Sequence, residues 1–142
     1  MAFRQFFIII IVLFCTTLKA QNFSNYQIIG NNIGIKSISE LNFKSYMKGK
    51  NNFWDNNNQV QIVLPSSNHA DAEDISKLIY AKSHTSVRKY WLSLVFQGRV
   101  ASPKFCDSDE EIIDFVKSKK GAIALVKRSA IIPDNLKISI AP

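Results

Sequence analysis

Residues 88–99 read RKYWLSLVFQGR, and the spacing of their apolar side chains decides how the rest of the chain is read. With Val87 just ahead, Tyr90, Trp91, Leu94 and Val95 recur at i, i+3, i+4, i+7 and i+8, a single stripe along a helix of roughly residues 85–96. Two large aromatic side chains on that stripe mark it as core, because burying them removes a great deal of apolar surface from water. Gly98 follows where the helix has to end.

Working outward, the segments on either side alternate between strand and helix patterns. Tyr26 to Ile29 and Val60 to Leu64 (VQIVL) are short apolar runs, broken by Gly30 and Pro65. Ser39 is placed to cap a short helix carrying Phe43, Tyr46 and Met47, with Gly49 at its exit. Residues 51–59 (NNFWDNNNQ) form an Asn-rich turn. Ser66, Ser67 and Asn68 are set to cap a helix with Ala72, Ile75, Leu78 and Ile79 inward. Asp107 or Ser108 caps another that ends near Lys117, with Ile112, Phe115 and Val116 inward and an acidic first turn that suits the helix dipole. Gly121 to Val126 (GAIALV) and Leu136 to Ile140 (LKISI) complete the strands. The order β-α-β-α-α-α-β-β predicts an α/β domain, a small mixed sheet flanked by helices.

The first twenty residues have a targeting layout. Arg4 precedes the ten-residue apolar run Phe6–Cys15 (FFIIIIVLFC), and a polar stretch ends at Ala20. The run is too short to span a bilayer, which takes about 20 residues, and it matches a secretory signal peptide cleaved after Ala20. The expected product is a periplasmic or secreted domain of residues 21–142, with no stable membrane span after cleavage. Losing Arg4 and Lys19 from the 18 basic residues leaves 16 against 11 acidic ones, a net +5. The basic residues are scattered and are not interleaved with aromatics, so nucleic acid is not an expected partner. Cys106 would then be the lone cysteine, beside Asp107, Asp109, Glu110 and Glu111, which disfavour a thiolate.

Several short runs taken together resemble the phosphate-type substrate-binding proteins of ABC transporters. Ser37-Ile38-Ser39-Glu40-Leu41, Tyr46-Met47-Lys48-Gly49-Lys50 and Phe53-Trp54-Asp55-Asn56-Asn57 follow in the order and spacing of that family. Tyr90-Trp91-x-x-Leu94-x-Phe96-x-Gly98 and Gly121-Ala122-Ile123-Ala124-Leu125-Val126 extend the likeness, so that it spans residues 26–126. The resemblance implies a single periplasmic-binding-protein-like lobe, since the family folds as two lobes and this chain has room for one. It also implies an anion loop after the VQIVL strand, which places tentative anion contacts at Ser66, Ser67 and Asn68, with a lesser one at Ser39. The loop here has neither the Arg nor the Gly of the family's loop, so phosphate or a similar small anion is expected to bind at millimolar strength or weaker. The other expected partner is an envelope protein, docking on the surface equivalent to the ligand cleft.

Other chemistry has little to stand on. The chain has no Gly-x-Ser-x-Gly elbow and no Walker loop. His69 and His84 have no cysteine or carboxylate at ligand spacing, which points to surface or helix-capping roles. The residues therefore lead to a non-enzymatic binding or assembly domain with no cofactor.

Overall fold

The computed structural model describes residues 22–142; the signal peptide expected over residues 1–20 lies outside the described residues. Among the described residues six strands form one mixed sheet: β1 (Tyr26–Gly30), β2 (Ser37–Ser39), β3 (Gln61–Pro65), β4 (Lys104–Cys106), β5 (Ala122–Lys127) and β6 (Lys137–Ala141). Four helices flank it: α1 (Glu40–Met47), α2 (Ala72–Tyr80), α3 (His84–Phe96) and α4 (Asp109–Ser118). The strand order is β2-β6-β1-β5-β3-β4. β5, β3 and β4 run parallel, β1 is antiparallel to both β5 and β6, and β2 is parallel to β6. The molecule is thus a small α/β domain, of a size consistent with a single lobe.

The two-residue period of the strands sorts side chains into two cores. Ile28, Ile62, Leu64, Ile123 and Leu125 face the side covered by α1, α2 and α3, where Phe43, Met47, Ile75, Ile79, Val87 and Trp91 fill the layer. Ile29, Val63, Ala122, Ala124 and Val126 face α4, which contributes Ile112, Ile113 and Val116. Ala122 and Ala124 are small, which lets α4 pack close to β5.

Trp91 is 2% exposed, and its Nε1–H donates to the Tyr80 hydroxyl at 3.1 Å. The Tyr80 O–H in turn donates to the Met47 carbonyl, so two helices and the end of α1 are tied through one buried chain. The Asn-rich turn packs through Trp54, which stacks on Tyr46 with ring centroids 4.2 Å apart and donates to the Gly121 carbonyl at 2.9 Å. Gly121 has φ +85°, and a Cβ there would lie 2.0 Å from the Gln59 carbonyl oxygen, so only glycine fits.

Two short strands, β2 and β4, were not expected from the sequence. A larger correction concerns α2. It starts at Ala72, not after Ser66–Asn68, and residues 66–71 form a turn ahead of it.

Candidate functional site

In open α/β sheets, ligands bind in the crevice beyond the carboxyl ends of the parallel strands. Here β3 and β4 pair Leu64 with Phe105 and Pro65 with Cys106, so the two chains leave the sheet side by side. Ser66 N–H donates to the Cys106 carbonyl at 2.7 Å, which carries the pairing one residue further. β5 ends at Lys127, opposite Tyr26 at the start of antiparallel β1. The rim at this end comprises residues 66–71, residues 107–109, Lys127 and Tyr26.

Side-chain hydrogen bonds close the rim. The Ser66 hydroxyl donates to Asp107 Oδ1 and accepts the Asn68 N–H at 3.2 Å. His69 Nδ1 accepts the Asp71 N–H at 3.0 Å, which puts the ring proton on Nε2. Nε2–H then donates to Asp109 Oδ1 at 2.9 Å, and Asp109 Oδ2 accepts the Lys127 N–H at 3.2 Å. The start of α4 is fixed by a variant capping box: Ser108 Oγ accepts the Glu111 N–H, and the Glu111 carboxylate reaches back to the Asp107 N–H at 2.8 Å.

The electrostatics of the rim are negative. Asp71, Asp107 and Asp109 converge on it, and the nearby ammonium of Lys127 lies 3.5 Å from Asp71 Oδ2. Burial raises the Asp109 carboxyl, but the hydrogen bonds from His69 and from the Lys127 N–H outweigh it and hold Asp109 below the usual carboxylate range. The Tyr26 phenol is pushed up to about 12 by burial and then by the negative charges of Asp71, Asp74 and Asp109.

His69 with Asp71 and Asp109 brings three potential metal-ligand atoms within 4.8 Å of one another. The hydrogen bonds argue against a metal at this cluster. A metal at Nε2 needs the lone pair there, yet the Asp71 N–H occupies Nδ1 and forces the proton onto Nε2. The Lys127 ammonium beside Asp71 adds repulsion. The cluster is a latch that joins the turn before α2 to the start of α4.

Of the four tentative anion contacts, Ser66, Ser67 and Asn68 lie together on this rim, Ser67 and Asn68 exposed. They are not at a helix N-terminus: α2 is preceded by Asp71, whose side chain makes no capping bond. The Ser66 hydroxyl and backbone N–H are both engaged within the chain. Ser39 sits on edge strand β2, four strands from β3, roughly 19 Å away by strand spacing. There it caps α1 by accepting the Asn42 N–H at 3.2 Å.

The expectation of surface or helix-capping roles for the histidines is corrected as to exposure. His69 and His84 are each 6% exposed. His84 is the first residue of α3; its N–H faces the Glu73 carboxylate at 3.3 Å, its Nδ1 lies 3.3 Å from Ser76 Oγ, and its Nε2 has no partner among the described residues. The expectation that His69 has no carboxylate at ligand spacing is corrected too: Asp71, two residues on, and Asp109 both bring a carboxylate beside it. The signal that could have found Asp109 is the pairing of β3 with β4, which the sequence pattern does not display. Cys106 is buried, and burial, then Glu111 and Asp107, push its thiol up against the opposing pull of Lys104.

No family model matches the chain, and no curated protein matches it. Among the described residues, no helix is long and apolar enough to cross a membrane.

Proposed function

We propose that this chain is an exported, non-enzymatic interaction module on the scale of one lobe of a phosphate-type binding protein, in which the strand-end rim no longer serves an anion. The observation that carries this reading is the Ser66 hydroxyl hydrogen-bonded to Asp107, within a rim that also holds Asp71 and Asp109. A phosphate approaching Ser66–Asn68 meets like charge with no arginine fork to offset it: the Lys127 ammonium is paired with Asp71, and the first turn of α4 on the same rim is itself acidic. The same bonds support the absence of catalysis. Ser66 Oγ faces a carboxylate and no imidazole, both His69 nitrogens are engaged, and the Cys106 thiol is buried.

An envelope protein is the partner class that fits this reading. The outer face of α3 supports it, with Leu92 57% and Phe96 82% exposed one turn apart. Arg88, one turn before Leu92, lies over the Phe105 ring of edge strand β4. Exposed apolar side chains grouped in this way are a feature of docking surfaces.

Calorimetric titration of residues 21–142 with inorganic phosphate tests the reading. No saturable heat below about 10 mM is expected, which corresponds to less than about 3 kcal/mol of binding free energy. Micromolar binding that Ser67→Ala abolishes would overturn it. For the export claim, expression in a Gram-negative host should yield a protein outside the cytoplasm beginning at Gln21; an intact Met1 form in the cytosol would contradict it.

A further inference from the structure

A concavity lies at the end of β3 opposite the rim, and its chemistry is the reverse of the rim's. It has a volume of about 270 Å³ and is walled by Asn51, Phe53, Gln59, Gln61 and Arg99, with Trp91 beneath. Among the described residues no Asp or Glu lines it, and Arg99 is the one charged residue of its walls. Arg99 forms no ion pair among the described residues. Its backbone carbonyl accepts from Asn52 Nδ2 at 3.4 Å, which ties the exit of α3 to the Asn-rich hairpin. Phe53 is 61% exposed although its backbone is held by a bridge to Gln59. The protein thus presents a flat apolar ring, three side-chain amides and one guanidinium to a single small space.

We propose that this pocket binds one acidic sugar unit, a pyranose bearing a carboxylate. Each wall has a counterpart in such a ligand. The apolar C–H face of a pyranose covers the exposed Phe53 ring and removes both surfaces from water. Ring hydroxyls both donate and accept, as do the amides of Asn51, Gln59 and Gln61. The carboxylate matches the fork of Arg99, which presents paired N–H donors in one plane. A neutral sugar leaves the guanidinium without a partner, whereas acetate or phosphate makes no use of Phe53. The volume falls just below the range of about 300–1,000 Å³ that holds drug-sized ligands, a size that suits one monosaccharide unit. The pocket lies at the other end of β3 from Ser66, so this inference stands apart from the fate of the phosphate reading.

The test is an amide-resolved NMR titration of residues 21–142 with methyl glucuronide, methyl glucoside and acetate. Methyl glucuronide should shift the amides of Phe53, Gln59 and Arg99 saturably, with a Kd near a millimolar and at least about tenfold below those of the other two. Arg99→Gln should reduce its affinity to that of the glucoside, and Phe53→Ala should weaken it about tenfold while leaving acetate unchanged. Both side chains are exposed, and an unchanged amide spectrum elsewhere will confirm that the variants fold. Acetate binding as tightly as the glucuronide, glucuronide shifts that survive Arg99→Gln, or no saturable shift would each overturn the proposal.

Discussion

Removing the Asp109 carboxylate should show whether the strand-end cluster is a structural latch. Asp109 Oδ1 takes the Nε2–H of His69, which is 6% exposed, and Oδ2 takes the Lys127 N–H. A hydrogen bond to a charged acceptor contributes about 1.5–3 kcal/mol, and a buried donor left without a partner adds a cost of about 1–3 kcal/mol. These overlap, because losing the His69 bond and orphaning its N–H are one event, so Asp109→Ala should cost about 2–4 kcal/mol at pH 7. That is a large share of the 5–15 kcal/mol typical of a whole domain. Asp109→Asn should cost less, since its amide oxygen still accepts. The folded-state pKa of Asp109 is depressed, so its contribution is full above the unfolded value of about 3.9 and is lost as pH falls through the folded value. Urea unfolding followed by tryptophan fluorescence should therefore show the gap between wild type and Asp109→Ala constant from pH 7 to 5 and closing below about pH 4. A gap under about 0.5 kcal/mol at pH 7, or one that widens on acidification, would refute the latch.

Two further outcomes follow from the core. Trp91→Ala should cost about 3–5 kcal/mol in the same assay, followed by circular dichroism, while exposed Lys89→Ala should stay within about 0.5 kcal/mol. The pKa of His84 is lowered by burial and then by Arg88, against the opposing pull of Glu73, so its neutral form is favoured in the folded state. Stability should fall as pH drops from about 6.5 toward the folded value, and His84→Asn should flatten that slope; an unchanged slope would contradict it.

The parts of the fold that were legible from sequence are those with a local signature. The Val87–Trp91 stripe, the Ser39 and Ser108 caps and the runs of β1, β3, β5 and β6 each obey a period or a terminal rule within a few residues. β2 and β4 have three residues each, too few to show a period, and both are edge strands. The rim was hidden for the same reason. Ser66 meets Asp107, and His69 meets Asp109, across about forty residues, because β3 and β4 pair in parallel. The serines after Pro65 looked like helix caps because Ser and Asn favour that position. In the fold, Asp107 and the β4 backbone claim Ser66 first, and α2 starts only after the His69–Asp71 turn.

The most direct measurement is a phosphate titration followed at the backbone amides of Ser66, Ser67 and Asn68, in the wild type and in Asp107→Asn. Asp107 is the carboxylate that the Ser66 hydroxyl faces. If the chain's own carboxylates exclude the anion, the wild-type amides should stay fixed at about 10 mM phosphate, and Asp107→Asn should let them begin to move, since one negative charge is removed and an amide donor is added. Saturable movement of the wild-type amides at micromolar phosphate, unaffected or weakened by Asp107→Asn, would mean that the rim is an anion site after all.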